Sequence, residues 1–165
     1  MSRNRPSGQH TSGLMSRRTL LTRLASGVAA VLLPGQALAA DDDRTPQFQD
    51  ALNTLLGDRE AAVRDVVLEL PDLAENGNMV PFTVSVASPM TDDDHVKTIT
   101  ILSTGNPQPV IARFHLTPAN GRAQIMGRLR LARTQDVIAI AELNSGALVS
   151  GTANVKVTVG GCGAG

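Results

Sequence analysis

The clearest signal for the fold lies in residues 80–86, which read VPFTVSV. Apolar side chains stand at every second position, and this period of two predicts a strand with one buried face. The same alternation recurs in six further runs, at 66–70, 99–101, 110–116, 125–131, 137–143 and 155–159. Clusters of Gly, Asn, Pro, Asp and Ser separate the runs and predict turns.

Seven short strands without intervening helical stretches predict an all-β fold. We expect an immunoglobulin-like β-sandwich of about seven strands over residues 63–159, and a small barrel remains the alternative. The chain has one Cys and no Trp, so the sandwich must be held by packing, without an inter-sheet disulfide.

A short helix is expected before the sandwich, within an acidic N-terminal region at 40–62. Thr45 can cap its start and Gly57 can end it. The helical spacing shows in four apolar residues of the segment 46–59: Phe48, Leu52, Leu55 and Leu56.

The first 39 residues have the pattern of a signal peptide. A basic region is followed by a weakly apolar run at 20–33 and by the small-residue cleavage pattern Ala37-Leu38-Ala39. Arg17 and Arg18 lie in SRRTLL, which matches the twin-arginine export signal, with an ordinary secretory signal as the alternative. The twin-arginine route carries folded proteins, so we expect a periplasmic protein exported together with a partner.

The formal net charge of zero is unevenly distributed. Five Arg and no acidic residue lie in the first 39 positions, which leaves ten basic and fifteen acidic residues from Ala40 onward, a net of −5. This excess argues against a binder of nucleic acid or of anionic membranes, and no membrane anchor is expected. With three aromatic residues there is no stacking platform, and one Cys cannot build a multi-Cys metal site.

The candidate functional residue is that single cysteine, Cys162, in the glycine-rich segment GGCGAG. Gly160, Gly161, Gly163, Ala164 and Gly165 surround it, and we expect residues 160–165 to form a mobile carrier tail that reaches up to about 20 Å. No His, Lys or Arg follows Lys156 to form the thiolate, so the segment predicts a carrier whose catalysis comes from partners. Frayed chain, a buried thiol and an intermolecular disulfide are the alternatives.

Other candidate sites have simpler interpretations. His95 and His115 could be copper ligands with Cys162, but we expect both to be exposed, with His95 in a turn. The acidic run at 92–94 lacks the Gly and Glu of a calcium loop. Four arginines, Arg122, Arg128, Arg130 and Arg133, form either a polar outer face or a surface for an anionic substrate or partner.

Eight short motifs, together with the tail, make the sequence similar to the SoxY family of sulfur carriers from the thiosulfate-oxidising Sox system. The resemblance covers residues 65–163, and the motifs are AENG at 74–77, VP at 80–81, SPMT at 88–91, HVK at 95–97, NPQP at 106–109, GRA at 121–123, RLRL at 128–131 and TQDVIA at 134–139. It implies an immunoglobulin-like sandwich that pairs with SoxZ, and a twin-arginine signal. It also implies that Cys162 carries the sulfur covalently, with no catalytic residue, resident cofactor or metal.

The resemblance further implies a reaction cycle. The cytochrome pair SoxXA couples thiosulfate to the tail cysteine, and the hydrolase SoxB releases the terminal sulfone as sulfate. Where present, SoxCD oxidises the remaining persulfide sulfur. The family usually ends Gly-Gly-Cys-Gly-Gly, whereas three residues follow Cys162 here and Ala164 is among them.

Overall fold

The computed structural model of the protein describes residues 44–161. The predicted signal peptide, with Arg17 and Arg18, lies outside the described residues, as do Cys162, Gly163, Ala164 and Gly165. Within the described part, the chain has one α-helix, nine strands and one short 3₁₀ turn. In chain order these are α1 (Pro46–Leu56), β1 (Ala61–Val63), β2 (Val66–Glu69), β3 (Leu73–Asn76), β4 (Val80–Val86), β5 (Val96–Ser103), β6 (Val110–His115), the 3₁₀ turn Pro118–Asn120, β7 (Ala123–Leu129), β8 (Gln135–Leu143) and β9 (Leu148–Val159).

The strands form two sheets, which confirms the predicted all-β, immunoglobulin-like sandwich with one short N-terminal helix. The larger sheet has the order β1-β9-β8-β5-β6, and β3 also pairs with β9. The smaller sheet has the order β2-β4-β7. Most neighbouring strands are antiparallel, but β1 and β3 both run parallel to β9.

The main core lies between the sheets. Along β4, Val80, Phe82, Val84 and Val86 are buried, and the residues between them are exposed or half-buried, as the sequence predicts. Apolar residues of the larger sheet meet them from the other side, and these are Ile99, Ile101, Val137, Ala139, Ala141, Val149 and Val155. Burial of alternating side chains from both sheets is the main stabilising term of such a sandwich.

Helix α1 packs on the outer face of the larger sheet. Phe48 is fully buried there against Leu102, Ile140 and Leu148. The Thr45 hydroxyl accepts a hydrogen bond from the Phe48 amide at 3.3 Å, and Pro46 occupies the first turn. The helix ends at Leu56, because the next residue has a positive φ of 58° that suits glycine.

The structure has two strands more than the approximate number predicted, and β9 begins seven residues before the predicted start at Val155. Both additional strands, β1 and β3, have only three or four residues, too few for an alternating pattern to show. The first four residues of β9, at 148–151, are all buried, so they lack alternation as well. No helix within residues 44–161 is long and apolar enough to cross a membrane.

Candidate functional site

The last described residues, Gly160 and Gly161, pack against the sandwich, and Gly161 is bonded to it through its backbone amide. The Gly161 amide donates to the Leu131 carbonyl at 2.8 Å, and the Leu131 amide donates to the Gly77 carbonyl at the same distance. The Gly77 amide in turn donates to the Val159 carbonyl at 2.8 Å. Three separate parts of the chain therefore meet at this point, and we call Gly160 and Gly161 the C-terminal root.

Glycine is required at the root because the backbones approach too closely for a side chain. A Cβ on Gly160 would overlap the Ala132 carbonyl oxygen, and one on Gly161 would overlap the backbone of Gly77. A Cβ on Gly77 would likewise overlap the Leu131 carbonyl oxygen. These glycines allow close packing, which is one of the two uses of a residue without Cβ.

This packing adds a second use of glycine to the flexible arm that the sequence predicts at Gly160 and Gly161. Both residues are half-buried and pack against the segments that follow β3 and β7. Glycine serves close approach as well as freedom, and the sequence alone does not distinguish the two. The mobility of the arm stays a prediction, and residues 162–165 lie outside the described residues.

Buried amide side chains hold the segment against which the root packs. Asn106, which is 5% exposed, donates from Nδ2 to the Arg130 carbonyl at 2.8 Å. Its Oδ1 accepts from the Ala132 amide and from Gln135 Nε2, both at 2.9 Å. Gln135 Oε1 accepts from the Gly105 amide at 2.6 Å. Because every one of these groups is bonded, residues 130–132 are fixed in position.

The turn that carries Gly77 and the end of β9 have their own side-chain bonds. The Asn76 side-chain oxygen accepts from the Asn78 amide at 2.9 Å, which shapes the turn between β3 and β4. The Thr134 hydroxyl accepts from the Val157 amide at 2.9 Å, two residues before β9 ends. Both bonds fix backbone beside the C-terminal root.

Four of the sequence motifs named above therefore meet at the root, although they are far apart in the chain. They are the segments 74–77, 106–109, 128–131 and 134–139. Sequence reasoning missed Asn106 and Gln135 as supports of this site, because an Asn between Gly105 and Pro107 predicts only a turn. One sequence signal could have identified both residues: each is an amide side chain at or just beyond the end of a strand whose other residues are mostly buried.

An open cleft of about 590 Å³ lies beside the root, between the edge strands β6 and β7 of the two sheets. Its lining comprises Asn78, Met79, Asn106, Pro107, Gln108, Val110, Ile111, Arg128, Leu129 and Arg130. Asn78 belongs to both features, since its backbone nitrogen would also be overlapped by a Cβ on Gly161. The cleft and the point where the described chain stops are thus neighbours.

The lining of the cleft is positively charged. Arg128 and Arg130 are exposed, and no Asp or Glu lines the cleft. Among the described residues, neither guanidinium has a hydrogen bond or an ion pair. The other two arginines of the predicted stripe lie elsewhere: Arg122 is in the turn before β7, and the Arg133 side chain packs against Gly105.

The histidines do not form a metal site in the described part of the chain. His95 was expected to be exposed but is half-buried, because its ring packs over the turn with Nδ1 3.1 Å from the Thr91 carbonyl oxygen. His115 is exposed at the end of β6, as predicted. The acidic run at 92–94 is an exposed turn, with the Asp93 carbonyl accepting from Asn144 Nδ2. Within residues 44–161, no three His, Asp or Glu side chains are grouped so that they could hold a metal ion.

The fold and the root define a class of protein: an immunoglobulin-like sandwich whose last strand leads, through a packed glycine pair, directly to the single cysteine of the chain. Residues 52–162 match the family described as "Sulfur oxidation protein SoxY". The chain belongs to the SoxY family, which confirms the resemblance found in the sequence. The family assigns it to sulfur oxidation, as a relative of carrier subunits.

Solved structures give a consistent result. The chain is similar to the sulfur carrier protein SoxY from Chlorobium limicola f. thiosulfatophilum, with a TM-score of 0.57 and 26% identity, over 67% of this chain and 91% of that chain. It is also similar to a superoxide reductase (neelaredoxin) variant from Ignicoccus hospitalis, with a TM-score of 0.52 and 20% identity, over 58% and 82% of the two chains. At that identity the second likeness concerns the fold alone. The comparison with curated protein sequences finds no match.

Proposed function

We propose that the chain is a periplasmic, non-catalytic sulfur carrier that holds thiosulfate-derived sulfur covalently on Cys162 and presents it to Sox enzymes. The observation that carries the proposal is the C-terminal root. It packs Gly161, the residue directly before Cys162, against the sandwich, and the match to the SoxY family extends through that cysteine. Such an anchor defines where the carried group leaves the domain.

The proposed loading step is an oxidative coupling. The Cys162 thiol and thiosulfate form a new sulfur–sulfur bond, which gives the adduct Cys–S–S–SO₃⁻, one proton and two electrons. A c-type cytochrome pair of the SoxXA kind accepts the electrons. A SoxB-type hydrolase then adds water across the terminal S–S bond, so that sulfate leaves and a persulfide stays on the cysteine.

The chain's own contribution is positional and covalent. An unassisted thiol has a pKa of about 8.5, so only a few per cent is thiolate near neutral pH, and activation is left to the enzymes that receive the cysteine. A SoxZ-type sandwich is the proposed permanent partner. It explains why a chain without a cofactor would use the twin-arginine route, since the pair would be exported in the folded state.

Mass spectrometry of the protein from thiosulfate-grown cells tests the proposal. The chain is isolated from the periplasmic fraction without reductant, and its C-terminal peptide is compared with that of the Cys162→Ser variant. We expect thiosulfonate and persulfide adducts on Cys162, removable by reductant, and none on the variant. A cysteine that is unmodified, or is found only in a permanent disulfide with another protein, would refute the carrier function; the second result would identify an adaptor instead.

A further inference from the structure

We propose that Asn76–Gly77 is a deamidation site that the C-terminal root keeps closed, and that opening of the root converts Asn76 to isoaspartate. The change is covalent and takes place in the chain itself. It does not depend on the proposed function, because no step involves Cys162 or a sulfur group. Its product is a root that cannot close again in the original register.

An Asn followed by Gly has the arrangement that this reaction needs. The Gly77 backbone nitrogen loses its proton and attacks Asn76 Cγ, and the glycine has no Cβ to hinder the approach. The new bond joins this nitrogen to Cγ, the bond from Cγ to the side-chain nitrogen breaks, and ammonia leaves with that nitrogen and the displaced proton. Water then opens the cyclic imide, at the main-chain carbonyl to give isoaspartate or at Cγ to give aspartate. No oxidant or reductant takes part.

The structure exposes one of the reacting groups and covers the other. Asn76 is exposed at the end of β3, and its Oδ1 accepts from the Asn78 amide at 2.9 Å. Gly77 is buried, and its amide donates to the Val159 carbonyl at 2.8 Å. A buried, hydrogen-bonded amide gives up its proton to solvent base only when the structure around it opens. The reaction is therefore controlled at Gly77.

Opening requires the three backbone hydrogen bonds of the root to break together. They connect Gly161 to Leu131, Leu131 to Gly77, and Gly77 to Val159, each at 2.8 Å. Gly161 also covers Gly77, since a Cβ on Gly77 would lie 2.9 Å from the Gly161 nitrogen. One such bond changes an equilibrium by a factor of about five, so three of them protect Gly77 by a factor on the order of one hundred.

A second Asn–Gly pair provides a comparison within the same chain. Asn120 and Gly121 are both exposed, and a Cβ on Gly121 would meet no atom of the described chain within 4 Å. The Gly121 amide donates to the Pro118 carbonyl at 3.0 Å, and Asn120 Oδ1 accepts from the Thr117 amide at 2.8 Å. These bonds lie within one turn, which can open without moving a strand. We expect this pair to be protected by a factor below about ten.

Isoaspartate at position 76 would change the geometry of the root. The main chain then runs through the former side-chain carbon, so it is longer by one carbon atom, and a carboxylate replaces the amide. Asn76 pairs with Val159 in the parallel ladder between β3 and β9, and the Gly77 amide bonds to the same residue. An additional main-chain atom between these two positions moves Gly77 out of register with β9. The modification therefore marks, irreversibly, those chains in which the root has opened.

Peptide mapping by mass spectrometry measures both pairs in one sample. The full chain is incubated in mildly alkaline buffer, either folded or unfolded in urea, and then digested with trypsin. Asn76 lies in the peptide 65–97 and Asn120 in the peptide 114–122. Fragmentation separates Asn76 from Asn78, and chromatography separates isoaspartate from aspartate. The protection of each pair is its rate in urea divided by its rate in the folded chain. We expect roughly one hundred for Asn76 and below about ten for Asn120.

Two variants separate opening of the root from unfolding of the whole sandwich. Gly161→Ala weakens one of the three bonds, so Asn76 should deamidate roughly five times faster while the rate at Asn120 stays the same. Phe48→Ala destabilises the helix contact on the outer face of the larger sheet and should leave the rate at Asn76 unchanged. Equal protection of the two pairs, an unchanged rate in Gly161→Ala, or a faster rate in Phe48→Ala would each overturn the inference.

Hydrogen exchange of the backbone amides tests the effect of the product without any variant that crowds the root. In the isolated isoaspartate form, the amides of Gly77, Leu131 and Gly161 should exchange roughly ten times faster than in the parent chain. The matched control is Asn76→Asp, which adds the same charge without lengthening the main chain and should exchange like the parent. Equally slow exchange in the isoaspartate form would show that the root closes around the additional atom and would refute the proposed loss of register.

Discussion

The substitution Gly77→Ala tests whether the C-terminal root is held by close backbone packing. The new Cβ would overlap the Leu131 carbonyl oxygen and lie 2.9 Å from the Gly161 nitrogen and 3.0 Å from Val157 Cγ1. Two of these neighbours are backbone atoms, so the crowding cannot be relieved by a rotamer change. Gly77 lies between β3 and β4, and both its amide and its carbonyl are hydrogen-bonded, so it cannot move away from the crowded atoms. We therefore expect the segments of Leu131 and Gly161 to separate from it.

The expected loss follows from the bonds that tie the three segments together. The three backbone hydrogen bonds at the root each contribute on the order of 1 kcal/mol. Alanine returns roughly 0.5 kcal/mol by restricting the unfolded chain. We therefore expect the free energy of unfolding to fall by about 2 to 3 kcal/mol. With a urea m-value of about 1.5 kcal/mol/M, the unfolding midpoint should move down by roughly 1 to 2 M.

Circular dichroism is the suitable probe, because the chain has neither Trp nor Tyr for fluorescence. Two further variants serve as controls. Gly161→Ala crowds the same contact from the last described residue, whose one backbone hydrogen bond goes to the Leu131 carbonyl. This residue should move aside, so we expect a loss of about 1 kcal/mol, the value of that bond. In Gly121→Ala the new Cβ would meet no atom within 4 Å, but the residue has a φ of 70°, which alanine disfavours. The expected loss of about 1 kcal/mol in the free energy of unfolding then measures backbone strain without crowding. A Gly77→Ala protein as stable as the parent would refute the close packing.

Two further substitutions test the supports of the site and of the helix. Asn106→Ala should lower the free energy of unfolding by about 2 to 4 kcal/mol in urea titrations, because the Ala132 amide and Gln135 Nε2 lose their acceptor. As a control, Gln108→Ala at an exposed position of the same loop should change it by less than about 0.5 kcal/mol. Equal effects of the two substitutions would contradict the role of the amide network. Phe48→Ala should lower the free energy of unfolding by about 3 kcal/mol, or release α1 from the sheet, which would be seen as faster proteolysis near residues 57–60. The control Gln47→Ala, at an exposed position, should do neither. An unchanged urea midpoint together with an unchanged cleavage rate would show that α1 does not stabilise the sandwich.

The sequence predicts those elements in which one face is buried and the other is exposed. β4 shows this alternation fully, and α1 shows the helical spacing together with its cap at Thr45. The pattern fails where both faces of a strand are covered, as in residues 148–151 of β9, because burial on both sides removes the alternation. It also fails for β1 and β3, whose pairing depends on β9 rather than on their own few residues.

The carrier class was predictable from the sequence, but the packing of the C-terminal root was not. A single cysteine in a glycine-rich segment without a nearby base predicts a carrier. The close approach of Gly77 and Gly161 depends on backbones 84 positions apart in the numbering, and no local pattern encodes it. The same holds for Asn106, since a buried Asn that supports a loop has the same sequence signal as an exposed Asn in a turn.

The pairing of β9 has a mechanical consequence. Antiparallel β8 pairs with it over 148–155, and on its other edge it is bonded to β1 and then to β3, up to Val159. A pull along the axis of this strand acts on hydrogen bonds that lie across the axis. Such a pull loads many of them in shear at the same time and cannot peel them apart one by one. The sandwich can therefore bear tension at the end of β9 and remain folded, which is what the proposed carrier function would demand of it.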